Sequence, residues 1–395
     1  MTTGTPIILT IDCETSIYEK GSAFVPANKL YCISYGFDNT FDCLPIAYGD
    51  RPYAEHLAKI QDMVDNSSCL VGFNIKFDLH WLRRYGISFD KCSIFDCQLA
   101  AFILAAQRTP YPSLNDVALR YLDRSKLDVV NNEYWEHGID TGDIPWDILS
   151  EYAIQDVRLT QDLYEHFMKL YGTDEMRKLK RLLSLQCQDL LALEEMEWNG
   201  LKFDFEKAKE KELEITGQLN EIREKLSRHF PNTSINWNSG DDVSCVLYGG
   251  TIVTGHKLPN GFFKTGDKTG QVRYKWVYEE TKMARLVEPL KNSKLKKEGY
   301  WSTSEDILRQ TKARGKAKDI IALILEAAKL EKLNGTYYNG IAKLADRMGW
   351  TDGFIHGQFN QTTVVTSRLS SSKPNLQNMA SEVDELLVSR YDSMC

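Results

Sequence analysis

Long apolar runs are missing from this chain of 395 residues. No stretch reaches the roughly 18 consecutive apolar residues that a membrane-spanning helix needs, so we expect no membrane segment. A basic leader followed by a cleavable apolar core is also missing from the opening residues "MTTGTPIILT". Because secretory signals have both features, we expect a cytoplasmic protein.

Paired cysteines and an overall excess of positive charge are lacking as well. The nine cysteines include no C-x-x-C pair, which argues against a zinc knuckle or a disulfide framework and favours a reducing compartment. The net charge is −7, yet residues 251–350 contain 20 Lys and Arg against 11 Asp and Glu. A basic stretch in an acidic protein often contacts a polyanion, although a solvated helical surface can have the same composition.

The first part of the chain, residues 6–170, alternates short apolar runs with helical periods. Strands are predicted at "IILTID", "KLYCISYGF", "CLPIAYG" and "CLVGFN", and helices at "AEHLAKIQDMVDN" and "IKFDLHWLRRYG". This order predicts an α/β layer with a mixed sheet flanked by helices. From about 175 to 229 the pattern is helical.

The later part of the chain changes in composition. Residues 249–300 are rich in Gly, Lys and aromatic residues, and we expect a hairpin-like segment there. Ser302 and Glu305 have the spacing of a capping box, which predicts the start of a helix. A long helix is then predicted over "AKDIIALILEAAKLEKLNGTYYNGIAKLAD".

The stretch "TIDCETS" ends the first predicted strand with two acids, Asp12 and Glu14. Residues two apart on a strand point to the same side, so these carboxylates would converge and repel each other. A hard divalent cation with oxygen ligands, Mg²⁺ or Mn²⁺, resolves this conflict. The pair therefore predicts a metal site at the end of the strand.

Two further pairs have the four-residue spacing of one helix face. "GFNIKFD" places Asn74 and Asp78 on a helix that follows a strand, and "EYAIQDV" places Tyr152 and Asp156 on a later helix. Each spacing alone is common, because such residues often cap a helix, pack or face solvent. Together with the strand pair they supply four acids and one phenol within a single α/β layer.

This set resembles the proofreading 3′–5′ exonuclease domain of family A DNA polymerases, a ribonuclease-H-like fold, and "SIFDCQLAAFIL" and "SLNDVALRYL" resemble its connecting helices. The resemblance implies metal-binding acids at Asp12, Glu14, Asp78 and Asp156, a phenol at Tyr152 that orients the attacking water, and a helper residue at Asn74. The expected substrate is a frayed single-stranded 3′ end of DNA.

Hydrolysis of a phosphodiester needs an activated water and stabilisation of charge on the leaving oxygen, and two Mg²⁺ or Mn²⁺ ions about 4 Å apart supply both. We expect Asp12, Glu14 and Asp156 to hold one ion, and Asp78 with Asp12 to hold the second. Tyr152 is expected to position the water, because a phenol with a pKa near 10 is a poor base at neutral pH.

The second half of the chain resembles the thumb and the start of the palm of the same family, and the added hairpin-like segment is similar to that of phage-type members. "LEAAKLEKLNGTYYNGI" resembles thumb helices, which makes Lys329, Lys332 and Tyr337 candidate phosphate contacts or, alternatively, one exposed helix face. "TSRLSSSKPNLQN" resembles the family pattern T-G-R-L-S-S-x-x-P-N-L-Q-N, with Ser367 in place of Gly.

This palm-entry resemblance gives three further candidates. Arg368, Asn375 and Gln377 would reach the minor groove of a primer–template duplex, where hydrogen-bond acceptors look alike across base pairs. A polymerase can check base-pair fit there without reading sequence.

The expected division is an exonuclease domain at 1–172, a helical thumb at 173–350 with a hairpin-like insertion near 249–300, and a palm-entry segment at 351–395 with an incomplete palm. The family's palm carboxylates and finger helix lie beyond that segment. We therefore expect that this chain alone does not polymerise DNA and that a separate C-terminal chain supplies palm and fingers; a shortened gene would look the same. If a phage encodes the chain, its compartment is the host cytoplasm.

Three functions stay open at this point. The chain is either a metal-dependent proofreading exonuclease that takes part in DNA replication, a non-catalytic subunit that clamps primer–template DNA, or a free-standing 3′–5′ nuclease. The insertion near 249–300 could contact DNA, bind a processivity partner or be neutral.

Overall fold

The computed structural model describes residues 7–49, 52–266 and 268–391. The chain forms two compact units. The first combines the residues up to Phe205 with those from Ile341 onward, and the second is Glu206–Gly340. No helix among the described residues is long and apolar enough to cross a membrane.

A five-stranded mixed sheet is the centre of the first unit, with strand order β3-β2-β1-β4-β5. Its strands are β1 Ile8–Thr15, β2 Leu30–Phe37, β3 Thr40–Pro45, β4 Cys69–Gly72 and β5 Ser93–Asp96. β1 is antiparallel to β2 and parallel to β4, while β2 pairs with β3 and β4 with β5. The predicted mixed α/β layer is therefore confirmed.

Helices cover both faces of this sheet and also continue the chain beyond it. They are α1 Ala54–Asn66, α2 Lys76–Arg84, α3 Cys97–Leu104, α4 Leu114–Leu122, α5 Val129–Glu133, α6 Trp146–Tyr171 and α7 Arg177–Asn199. α6 packs across β1 to β4, whereas α2 packs on β1 and α7 on β5. The longest helix therefore crosses the sheet where the two acids of β1 lie.

Short strands connect the end of this region with the last part of the chain, still within the first unit. β6 Leu201–Lys202 pairs with β9 Phe354–Ile355, and β10 Gln358–Asn360 pairs with β11 Ser370–Ser372. Glu19 forms ion pairs with Arg347 at 2.9 Å and with Lys373 at 2.7 Å. These contacts join the last fifty described residues to the sheet region.

The second unit is mostly helical and contains one long hairpin. Its elements are α8 Phe205–Arg228, α9 Gly240–Tyr248, β7 Gly250–Phe262, β8 Val272–Met283, α10 Glu305–Gln310 and α11 Lys316–Leu333, followed by a π-helical turn, Asn334–Tyr338. The next helix, α12 Asn339–Met348, begins at the end of this unit, and its residues from Ile341 onward belong to the first unit. Ile222, Leu226, Leu247 and Ile320 are buried in the core of the second unit. The three-part domain division stays a prediction.

Three local predictions were wrong. Asn74 is not on a helix face with Asp78, because it precedes α2 in the left-handed region, with φ of 59°. Asn tolerates this conformation better than most residues. The helix predicted near Ser302 does begin, at Glu305, but Ser302 and Glu305 do not form its capping box: the N-cap residue is Ser304, whose amide donates to the Ser302 hydroxyl at 3.3 Å.

The long predicted helix is interrupted rather than continuous. The π-helical turn separates α11 from α12. A Cβ atom at Gly340 would lie 2.3 Å from the carbonyl oxygen of Gly335, so the wide turn brings two backbone segments together where no side chain fits. Glycine is required there by close backbone approach.

Candidate active site

Three carboxylates meet between β1 and α6. Asp12 and Glu14 lie on β1, and Asp156 lies in the middle of α6. One oxygen from each lies within 4.8 Å of the others. Glu14 is 6% and Asp156 2% exposed, and Asp12 is half-buried. The structure thus brings together the three acids that were expected to hold one metal ion.

This arrangement is electrostatically unfavourable for ionised acids. Burial, followed by the charge of Asp12, raises the pKa of Glu14 well above its ordinary value. Burial raises the pKa of Asp156 to about 7, although the ammonium of Lys126 opposes that shift. Burial also raises the pKa of Asp12. Desolvation and like charge both penalise the ionised form, so the cluster needs positive charge.

Lys126 supplies part of that charge, and no motif in the sequence indicated its role. Its ammonium forms an ion pair with Oδ2 of Asp156 and lies 4.4 Å from the ring centroid of Tyr152. Burial lowers the pKa of Lys126, but the nearby carboxylates more than offset this, and the pKa is raised overall.

The backbone around Lys126 is fixed by side chains from two helices. Its amide donates to Oδ1 of Asn115 on α4 at 2.9 Å, and the amide of Leu127 donates to Oε1 of Gln155 on α6 at 2.9 Å. The two accepting residues lie on different helices, so no local sequence pattern could have predicted where the Lys126 ammonium lies.

Tyr152 lies one helical turn before Asp156 and is 1% exposed. Its ring packs edge-on against Trp135, with centroids 5.6 Å apart. Burial, followed by the charges of Glu14, Asp156 and Asp12, raises the pKa of Tyr152. The phenol therefore keeps its proton at neutral pH, so it can donate a hydrogen bond but cannot act as a base.

Asp78 is close to this cluster but is not one of its converging oxygens. It is 2% exposed on α2, and its Oδ1 accepts a hydrogen bond from the amide of Cys13 at 2.9 Å. Burial, followed by the charge of Asp12, raises the pKa of Asp78 well above its ordinary value. The structure therefore links Asp78 to β1 through the backbone, and its expected metal role stays a prediction.

Asn74 is exposed and lines a cavity of about 640 Å³ within the first unit. Lys20, Lys76 and Lys373 also line this cavity. Its wall includes the segments that follow β1 and β4, which end at the same edge of the sheet because these strands are parallel. Glu19 and Glu197 line it too and form ion pairs with Lys373 and Lys76, so the cavity is a concave surface of mixed charge beside the strand end that carries the acids.

The three palm-entry candidates lie together. Arg368, Asn375 and Gln377 are all exposed and line one concavity of about 490 Å³. Ser367, which precedes Arg368, has φ of 58°. Glycine adopts this left-handed conformation most easily, which explains the glycine in the family pattern.

The thumb candidates differ from one another in exposure. Lys329 and Lys332 are exposed on α11, whereas Tyr337 is 8% exposed in the π-helical turn. Tyr337 is mainly a core residue here, and all three DNA contacts stay predictions.

Two family models match separate parts of the chain. Residues 8–171 match a family described as 3′-5′ exonuclease, and residues 275–390 match one described as DNA polymerase family A. The chain therefore contains a segment similar to 3′-5′ exonucleases and a second segment similar to DNA polymerase family A. The exonuclease match covers all five strands of the mixed sheet together with Asp12, Glu14, Tyr152 and Asp156.

Curated relatives agree with this family. The DNA polymerase of Escherichia phage T5 is 26% identical over 352 residues, which cover 82% of this chain and 35% of that protein. DNA polymerase I of Bacillus subtilis is 28% identical over 305 residues, which cover 77% of this chain and 29% of that protein. The chain therefore spans about a third of the length of these relatives.

A solved structure supports the fold. The POL domain of Pol1 from M. smegmatis, in complex with DNA primer-template and dNTP, matches with a TM-score of 0.66 and 18% identity. The match covers 98% of this chain and 55% of that one. The separate C-terminal chain, and the expectation that this chain alone does not polymerise DNA, stay predictions.

Proposed function

We propose that this chain is part of a family A DNA polymerase and hydrolyses DNA from a single-stranded 3′ end, using divalent cations held by Asp12, Glu14 and Asp156. It would thereby proofread during DNA replication. The observation that carries the proposal is the convergence of three buried or half-buried carboxylates within 4.8 Å. A structural role explains this poorly, since it costs desolvation and repulsion with no apolar gain.

The donor set fits Mg²⁺ or Mn²⁺. All three donors are carboxylate oxygens, which hard divalent cations prefer. Among the described residues, no hydrogen-bond partner reaches the buried Oδ1 of Asp156. A buried ionised oxygen without a partner is costly, and it is accounted for if a cation binds beside it. Divalent ions bound at such a site would lower the pKa of a bound water and stabilise negative charge on the leaving oxygen.

The residues of the chain have separate roles in this proposal. Tyr152 remains protonated, so its hydroxyl orients the attacking water without removing a proton from it. Before the cation binds, the ammonium of Lys126 balances the negative charge of Asp156. Asp78 fixes the end of β1 through the Cys13 amide and, with Asp12, is the proposed holder of a second ion.

The DNA is proposed to contact two surfaces. The cavity lined by Lys20, Asn74, Lys76 and Lys373 offers cationic side chains to the phosphates of a single strand, and two of these lysines also pair with Glu19 and Glu197 in its wall. The concavity lined by Arg368, Asn375 and Gln377 offers hydrogen-bond donors to a duplex minor groove. Lys329 and Lys332 add sequence-independent phosphate contacts, which salt would weaken.

The test is hydrolysis of a 5′-labelled single-stranded oligonucleotide in Mg²⁺ or Mn²⁺. We expect a ladder of products shortened from the 3′ end, stopped by EDTA. Asp156→Asn should reduce the rate of hydrolysis by more than the roughly 10–100-fold that is typical when a residue only orients a metal ligand. Asp162→Asn is the matched control, since Asp162 lies on the same helix with a side chain 41% exposed and paired with Arg124.

A non-catalytic clamp is the second candidate, supported by the grouping of Arg368, Asn375 and Gln377 around one concavity. Binding of a primer–template without any loss of 3′ nucleotides in Mg²⁺ or Mn²⁺ would favour the clamp. Hydrolysis that persists unchanged in Asp156→Asn would contradict the proposed site.

A further inference from the structure

The long hairpin of the second unit exposes aromatic residues that nothing described so far uses. β7 and β8 form a two-stranded sheet, and among the described residues no third strand pairs with it. Tyr274, Trp276 and Tyr278 are 56%, 51% and 64% exposed. Such large side chains are normally buried, so an exposed row of them indicates a binding surface.

The three aromatic residues share one face. They alternate along β8, so their side chains project to the same side of the hairpin. The rings of Trp276 and Tyr278 are nearly parallel, with an interplanar angle of 14° and centroids 6.2 Å apart. The face therefore presents parallel aromatic rings to solvent.

Gly255 on β7 makes room for this arrangement. It pairs with Tyr278 across the hairpin. A Cβ atom at Gly255 would lie 3.1 Å from Tyr278 and 3.2 Å from Trp276, closer than ordinary side-chain contacts. Because glycine has no Cβ atom, both rings can lie close against the neighbouring strand. This packing restricts the orientation of the rings.

Positive charge accompanies the rings. The ammonium of Lys257 lies 5.2 Å from the centroid of the Trp276 ring. Lys282 is on the same face of the hairpin by strand alternation. Residues 250–283 contain six Lys and Arg against three Asp and Glu. Glu280 lies on the same face by strand alternation, so the aromatic face carries two lysines and one glutamate, a small excess of positive charge.

We propose that Tyr274, Trp276 and Tyr278 form a platform on which bases of single-stranded DNA stack, with Lys257 and Lys282 neutralising its phosphates. Exposed aromatic rings next to cations are the features with which proteins bind single strands without reading sequence. A duplex does not suit the surface, because its base faces are already covered. A protein partner suits it less, because Lys is depleted at the centre of protein interfaces.

Photochemical crosslinking tests the contact directly. The full chain is mixed with an oligonucleotide of about 20 nucleotides, longer than the roughly 4–16 nucleotides of one binding site, that carries 5-iodouracil. EDTA prevents hydrolysis. Trypsin cleaves after Lys275 and Lys282, so both Trp276 and Tyr278 fall in the peptide "WVYEETK". We expect nucleotide-modified "WVYEETK"; crosslinks confined to other peptides would overturn the proposal.

Fluorescence anisotropy in EDTA measures the contribution of the rings. Trp276→Ala with Tyr278→Ala should weaken binding of the single strand at least about fivefold, the low end for loss of one stacked base. Trp276→Phe with Tyr278→Phe should restore most of it. Val277→Ala is the matched control, since Val277 is 38% exposed on the opposite face.

The result that overturns the proposal is equal binding by the double alanine variant and the control, or an equal loss for single strand and blunt duplex. Circular dichroism confirms that each variant is folded. Because no step needs hydrolysis, failure here leaves the acid site untouched, and failure of the nuclease assay leaves this platform untouched.

Discussion

Removal of the Lys126 ammonium should destabilise the metal-free protein. Lys126→Met keeps most of the side-chain volume but leaves Asp156 without its cationic partner. The side chain of Asp156 is 3% exposed and that of Lys126 24%. Breaking a buried ion pair costs about 3–5 kcal/mol, and the partial exposure of Lys126 places our expectation near 3 kcal/mol.

The cost should depend on pH in a definite direction. The pKa of Lys126 is raised, so its contribution to stability is present below the ordinary lysine pKa of about 10.4 and is lost above that range. The ion pair also needs an ionised Asp156, whose pKa is about 7. Because Asp156 can take up a proton once its partner is removed, the loss is limited to about 1.4 kcal/mol for each pH unit above its pKa, so the cost should approach about 3 kcal/mol near about pH 9. It should shrink near about pH 5, where Asp156 holds a proton.

Urea unfolding in EDTA, followed by circular dichroism, measures this change. With a slope of about 3 kcal/mol per molar, the loss corresponds to a midpoint shift of about 1 M urea. Lys59→Met is the matched control: Lys59 pairs with Asp42 at 3.8 Å with both side chains about half exposed, and such pairs contribute about 0–1 kcal/mol. Equal costs for both variants, or a cost for Lys126→Met that pH does not change, would refute the reasoning.

Three other outcomes are expected. The affinity for Mn²⁺ should fall as pH decreases through about 7, because a cation binds the ionised form of Asp156 and burial raises the pKa of this acid to about 7. Calorimetry in two buffers should show that Mn²⁺ binding releases protons. Glu197→Gln should cost about 3 kcal/mol in urea unfolding, because the buried Glu197 accepts from Lys76 at 2.5 Å. Gly340→Ala should lower thermal stability by on the order of 2 kcal/mol, whereas Gly335→Ala, with nothing within 4 Å, should be tolerated.

The acid pair of β1 and the Tyr152–Asp156 pair were predictable because both follow from periodicity. Alternation along a strand fixes the side to which Asp12 and Glu14 point, and the helical repeat places Tyr152 above Asp156. Most residues of the candidate site could therefore be predicted from local spacing alone. What local spacing could not provide is the distance between β1 and α6, which depends on how the helix packs across the sheet.

The position of Lys126 and the backbone conformation of Asn74 were not predictable from the sequence. The position of Lys126 depends on Asn115 and Gln155, which are distant in sequence and come together only in the folded chain. Asn74 was expected in a helix, but the chain turns sharply after β4, and α2 begins at Lys76. The helix boundary was predicted too early, which is the feature that periodicity defines least well.

The hairpin was visible in the sequence only as a change in composition. Gly turns and aromatic residues indicated its presence, but its register decides that Tyr274, Trp276 and Tyr278 share one face with Lys257. A shift by one residue would place the rings and Lys257 on opposite faces. The platform could therefore be inferred only from the structure.

A crystal of this chain grown with Mn²⁺ and measured at an anomalous wavelength gives the most direct test of the central claim. We expect an anomalous peak about 2 Å from carboxylate oxygens of Asp12, Glu14 and Asp156, the distance usual for small divalent cations. Saturating Mn²⁺ with no peak at these three residues would contradict the account.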